Sequence, residues 1–156
     1  MTRWLTEDEQ ASWLALAGVM LRLNTALDQQ LQRDSGLTHF EYLCLAMLSA
    51  EPEWTTSMSA LARTVNASPS RLSHVVRKLE DRGWVARSPA PHSRRVTVVR
   101  LTQEGFEVLA DAAPGHVRTV ASLVFDGLGD DDVEQLRRLM CHVLERLAAS
   151  GLEEPE

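Results

Sequence analysis

The side chains best suited to chemistry in this 156-residue chain are Ser68, Ser70, Arg71, His74, Arg77 and Lys78, with Arg94 and Arg95 further on. All can donate hydrogen bonds, and the first six fall within eleven positions that contain no acid. Such a set suits phosphate oxygens and the edges of bases in duplex DNA. We assign Ser68 and Ser70 to phosphates, and Arg71, His74 and Arg77 to base edges, with Lys78 on the same basic face. Arg94 or Arg95 would reach the minor groove. Adjacent residues of an extended strand point to opposite sides, so only one of those two should insert.

Catalysis and metal binding find little support. The five histidines (His39, His74, His92, His116, His142) share no ligand spacing, and no Gly-rich phosphate loop or nucleophile motif occurs. Asp130-Asp131-Asp132 could suggest a cation, but acids opening a helix complement its dipole, and that is the reading adopted. Neither an enzyme nor a bound cofactor or metal is expected.

The elements that must position the basic set are marked in the sequence. Leu72, Val75, Val76 and Leu79 recur at helical spacing and define one buried stripe. Ser68 can cap that helix, Pro69 suits its first position, and Gly83 can end it in a left-handed conformation. Upstream, Leu61, Ala62 and Val65 form the small apolar face of a shorter helix that starts at Thr56 or Ser57. Asn66 lies in the turn between the two. This is a helix-turn-helix plan, whose second helix enters the major groove. Trp84-Val85-Ala86 and Val96-Thr97-Val98-Val99 then read as strands around the non-helical tip Ser88–Ser93. Alone, that would be an ordinary hairpin with solvated arginines. Attached to a helix-turn-helix, it is a wing.

Charge is distributed accordingly. The whole chain carries −6, yet from Ser59 to Arg95 eight basic residues face only Glu80 and Asp81. That segment is net +6 and leaves −12 for the remainder, so cationic surface is concentrated where contact is expected.

The rest of the chain reads as helix. Thr6, with Glu7-Asp8-Glu9 behind it, caps a first helix running to about Arg33. Its apolar residues, Trp13, Leu14, Leu16, Met20, Leu23 and Leu27 among them, wrap more than one face. Thr38 and Glu41 fit a capping box for a helix carrying Phe40, Leu43, Cys44, Met47 and Leu48 and stopping before Pro52. Trp54 falls in a loop. Thr102 caps another helix that Pro114-Gly115 should kink or break, and the last begins at Asp130 with a wide face from Val133 to Leu147. One subunit cannot cover both terminal helices, so a second copy should. We expect a mainly α fold with a small β-wing, a single unit over 1–156. Its DNA-binding lobe would occupy 37–102, with dimerisation helices at 6–36 and 103–150. No signal peptide is evident and no apolar run reaches membrane length, so a cytoplasmic protein is expected.

The segment LARTVNASPSRLSHVVRKLEDRGWVARSPAPHSRRVTVVRLTQEG resembles the winged helix-turn-helix of the MarR family of bacterial transcription regulators. The closing APGHVRTV…VFDGLGDDDVEQLRRLM is similar to it as well. The resemblance implies a homodimeric repressor on a pseudo-palindromic operator, released by a small, often anionic aromatic, ligand between dimer helices and DNA-binding lobe. Trp13, His39, Phe40, Met47 and His116 are the candidates for that cleft. The family's wing often carries Asp two residues before an Arg; here those positions hold Ser93 and Arg95, which makes Arg95 the inserting residue. Two alternatives remain open: a redox-responsive regulator using Cys141 or Cys44, and a winged-helix protein–protein adaptor without DNA binding.

Overall fold

The computed structural model describes residues 2–151; the outermost positions of the expected 1–156 unit lie outside them. Among the described residues six α-helices and three strands follow in order: α1 (Glu7–Ser35), α2 (His39–Ala50), β1 (Thr55–Ser57), α3 (Met58–Thr64), α4 (Pro69–Asp81), β2 (Val85–Ala90), β3 (Ser93–Leu101), α5 (Gln103–Val120) and α6 (Asp130–Ala149). Helix starts follow local chemistry. Thr6 and Thr38 each form the reciprocal capping box with the Glu three residues on, and Ser57, Ser68 and Thr102 each accept from a backbone N–H of the first turn. α1 extends slightly past its expected end, to Gly36 in the left-handed region.

The core lies between α2, α3, α4, the sheet and the near ends of α1 and α5. Leu31, Leu37, Leu45, Leu48, Leu61, Leu72, Val76, Leu79 and Val99 are essentially closed to solvent there. Asn66 (φ 48°) and Gly83 (φ 77°) adopt the left-handed conformations their positions require.

Three features differ from expectation. Trp54 does not sit in a plain loop: a 3₁₀ turn (Pro52–Trp54) with Glu53 and Trp54 at positive φ feeds strand β1. β1 pairs antiparallel with β3, giving sheet order β1-β3-β2. Three residues carry no periodicity, so β1 was invisible in sequence; its partner supplies the pairing. The turn stacks Trp54 on Phe106 of α5, ring centroids 4.6 Å apart and nearly parallel.

Second, the wing tip is tighter than Ser88–Ser93. β2 continues through Ser88, Pro89 and Ala90, and Ala90 already pairs with Ser93. β2 is an edge strand, where a proline is tolerated. Third, Pro114 does not break α5, which runs from Gln103 to Val120 with the proline inside it. Packing against α1 holds it: a Cβ on Gly115 would meet Gln30 Nε2 at 3.2 Å, so the two helices meet closely just beyond the proline. The irregularity falls later, in a π-helical turn over Ala121–Phe125.

α6 buries no residue in the subunit. Its Leu139, Val143, Leu144 and Leu147 are exposed, as are Trp13, Leu14, Val19, Met20 and Leu21 of α1. Asp130, Asp131 and Asp132 open α6, and Asp132 accepts from the Gly129 N–H at 3.2 Å. Among the described residues no group of His, Cys, Asp or Glu could hold a metal, and no helix is long and apolar enough to cross a membrane.

Candidate nucleic-acid interface

The geometry of α4 sorts its residues into three stripes. Leu72, Val76 and Leu79 point into the core, with Val75 partly buried beside them. Ser70, His74 and Arg77 stand roughly opposite, exposed. Arg71, His74, Val75 and Lys78 recur at i, i+3, i+4, i+7 and line a cleft of about 690 Å³ against α1 and α2. His74 therefore borders both the outer face and the cleft.

The N-terminus of α4 is held by Ser68. Its hydroxyl accepts from the Arg71 N–H at 3.3 Å and lies 3.3 Å from the Ser70 hydroxyl. Ser68 is thus engaged in capping, while Ser70 is exposed beside it.

Several of the basic side chains have partners within the chain. Lys78 Nζ lies 2.8 Å from Oε1 of Glu41, whose side chain is 2% exposed. The other Glu41 oxygen accepts from the Thr38 N–H at 2.9 Å. Burial pushes this carboxyl up, but Lys78 and the Thr38 N–H, with Arg82 adding a little, bring it below the usual carboxylate value. Lys78 therefore ties α4 to α2. Arg87 forms a two-pronged pair with Glu80, at 2.9 and 2.6 Å, clamping β2 to the end of α4. Arg82 lies over the Trp84 ring at 4.9 Å, and Arg71 over the Phe40 ring at 4.1 Å. No sequence signal could pair Lys78 with Glu41, because they lie 37 positions apart on separate helices.

Arg94 and Arg95 are exposed at the wing. The register shifts there: Pro89 pairs with Thr97 but Ala90 with Ser93, so Arg94, Arg95 and Val96 form a bulge on β3. Regular alternation fails across these residues, and with it the argument that only one arginine can point outward. The Ser93 hydroxyl accepts from the Arg95 N–H at 3.3 Å, bracing the tip where an Asp was expected from the resemblance.

Of the five cleft candidates, His39 and Phe40 line the cavity. His39 is anchored to α1: its N–H donates to Asp28 Oδ1 and its Nδ1 lies against Asn24 Oδ1, both at 2.8 Å. His116 of α5 lies behind, its ring centroid 4.4 Å from that of Tyr42 and 5.7 Å from that of His39. Burial lowers the pKa of both histidines; Asp28 partly offsets this at His39, while His39 adds to it at His116. Met47 packs on the core and Trp13 is exposed on α1, neither lining the cleft. Asn24, Thr25, Asp28 and Gln29 of α1 also line it, with Thr38, Glu41, Leu43 and Val65; sequence reasoning missed the α1 residues, since polar residues on a long helix look alike. Cys44 is fully buried, and burial pushes its thiol up to about 12, which leaves almost no reactive thiolate at neutral pH. Cys141 is exposed on α6.

Comparison with known proteins gives a consistent result. The sequence model of the MarR family matches residues 37–97. The HTH-type transcriptional repressor Rv2887 of Mycobacterium tuberculosis is 36% identical over 105 residues, 67% of this chain and 73% of that protein. Among solved structures, the MarR family regulator Sco3205 of Streptomyces coelicolor, determined in complex with DNA, matches with a TM-score of 0.87. Its identity is 40% over 99% of this chain and 93% of that one. AbsC of the same organism, also a MarR family regulator, matches with a TM-score of 0.88 and 34% identity over 95% of this chain and 99% of that one.

Proposed function

Since the chain belongs to the MarR family, we propose that it works as a homodimeric repressor on a pseudo-palindromic operator and is released by a ligand in the α1–α2–α4 cleft. Its relatives are transcription regulators, and so is this chain. The observation that carries the dimer is the uncovered apolar surface of α1 and α6, which no soluble monomer should expose on this scale. On this reading 6–36 and 103–150 join the copies, and 37–102 reads DNA.

A two-fold axis then sets the two α4 helices in successive major grooves, about 34–36 Å apart. Ser70, His74 and Arg77 stand on the outer face that approaches the groove, Ser68 caps the helix end beside phosphate, and Arg94 and Arg95 extend from the wing. Lys78 contributes by holding α4 in place, and Arg71 reaches base edges when it leaves the cleft. The reading of a planar anion rests on the rings of Phe40 and His39 and on the guanidinium of Arg71, since Lys78 is already paired with Glu41. A ligand that favours one lobe orientation would bias the dimer away from DNA.

The test is binding to a duplex selected by the protein from a random pool, against scrambled duplex, across salt. We expect two chains per duplex, half-sites about 10 base pairs apart, and a steep fall of log affinity with log salt. A monomer at working concentrations, or equal binding to both duplexes, overturns the reading; no DNA binding at all would favour the adaptor. Benzoate should raise the Tm and weaken operator binding.

A further inference from the structure

Arg71 is third in α4, at the end of a recognition helix that enters the groove, yet its guanidinium is turned toward α2. It lies 4.1 Å from the centroid of the Phe40 ring, about 120° around α4 from Arg77. Phe40 is itself set by α1: its neighbour His39 donates its N–H to Asp28 and meets Asn24, each at 2.8 Å. On the other side, Glu41 is held by Thr38 and Lys78. The start of α2, which carries the ring, is thus anchored to the long helix, while the arginine sits on α4.

We propose that Phe40 is a positioning residue that parks Arg71 on the cleft side of α4, and that operator binding requires Arg71 to leave it. One guanidinium is shared by the two surfaces. Any movement of the α1–α2 junction that tightens the Phe40 contact withholds a base-reading arginine, and any movement that opens it releases one. A carboxylate in the cleft would add a second hold on the same group. This deepens the DNA-binding reading above and rests on it.

The experiment is a double-mutant cycle on operator affinity with Phe40→Leu and Arg71→Ala, plus Phe40→Trp, each variant's Tm being recorded. Phe40→Leu removes the cation–π contact but keeps apolar bulk, and should tighten operator binding by about two- to five-fold, the range such a contact supplies at a part-exposed site. In the Arg71→Ala background the same change should have no effect. Phe40→Trp, which offers the better cation–π face, should not tighten binding. Two results overturn the proposal: Phe40→Leu weakening operator binding, or Phe40→Leu shifting it equally with and without Arg71, as a merely structural ring would. Should wild type itself not distinguish operator from scrambled duplex, the DNA-binding reading fails and this inference falls with it.

Discussion

Lys78→Met separates a lysine that holds DNA from one that holds the fold. In this structure Lys78 neutralises Glu41, a carboxylate with 2% of its side chain exposed. Removing one member of a fully buried pair costs about 3–5 kcal/mol, because the remaining charge is left without compensation. Lys78 is 47% exposed, so water screens the pair and the loss should be about 2 kcal/mol. For a chain of this size that is about 4–8 °C in Tm. Urea unfolding followed by tryptophan fluorescence, at fixed protomer concentration, reads it directly. Glu41→Gln keeps the bond to the Thr38 N–H and removes the charge, so Lys78→Met in that background should cost little. The pH dependence supplies a sign. In the native chain the Glu41 pKa lies below 4.5, so its contribution is present above that value and is lost as pH falls through the folded pKa. Without Lys78 two of the influences that lower this carboxyl are gone, so its folded pKa rises and the loss of stability on acidification should be smaller than in the native chain. An unchanged unfolding midpoint, together with a uniform loss of affinity for all duplexes and a shallower salt slope, would refute this and make Lys78 a phosphate contact.

Other expectations concern the junction of the wing with α5, the histidines and the thiols. Gly105→Ala would drive a Cβ into the Trp84 carbonyl and to within 2.8 Å of Leu101 Cδ1, where the wing meets α5; calorimetry should show a loss of about 3 kcal/mol. His39 and His116 are held below 6.5 in the fold by burial, so their contribution is complete above 6.5 and declines as pH falls through their folded values. Unfolding midpoints measured down this range should fall for wild type and flatten for the His39→Asn/His116→Asn variant. A thiol reagent should label Cys44 only after denaturation; labelling of Cys44 in the native protein would contradict its buried placement.

Much of the lobe was legible because its signals are local. Ser68-Pro69, Asn66 and Gly83 each impose a backbone conformation on their own residue, and Leu72, Val76 and Leu79 declare a buried stripe by spacing alone. Thr38 and Glu41 announce their capping box within four positions. Pro114 shows the limit of such signals: its local penalty of about 3 kcal/mol is real, yet α5 continues through it, where Gly115 lies close to Gln30 of α1. β1 and the bulge at Arg94–Val96 depend on register with a partner strand, which no local pattern encodes.

By itself the sequence determined where helices start, which residues are apolar on each, where positive charge collects, and which family the chain resembles. Tertiary structure alone decided how those cations are used: Lys78 and Arg87 are spent on Glu41 and Glu80, Arg71 lies on Phe40, and Arg77, Arg94 and Arg95 stay exposed. The reason is range. Capping and amphipathic spacing act within a turn or two, whereas ion pairing and ring contacts depend on which distant helix comes to lie alongside.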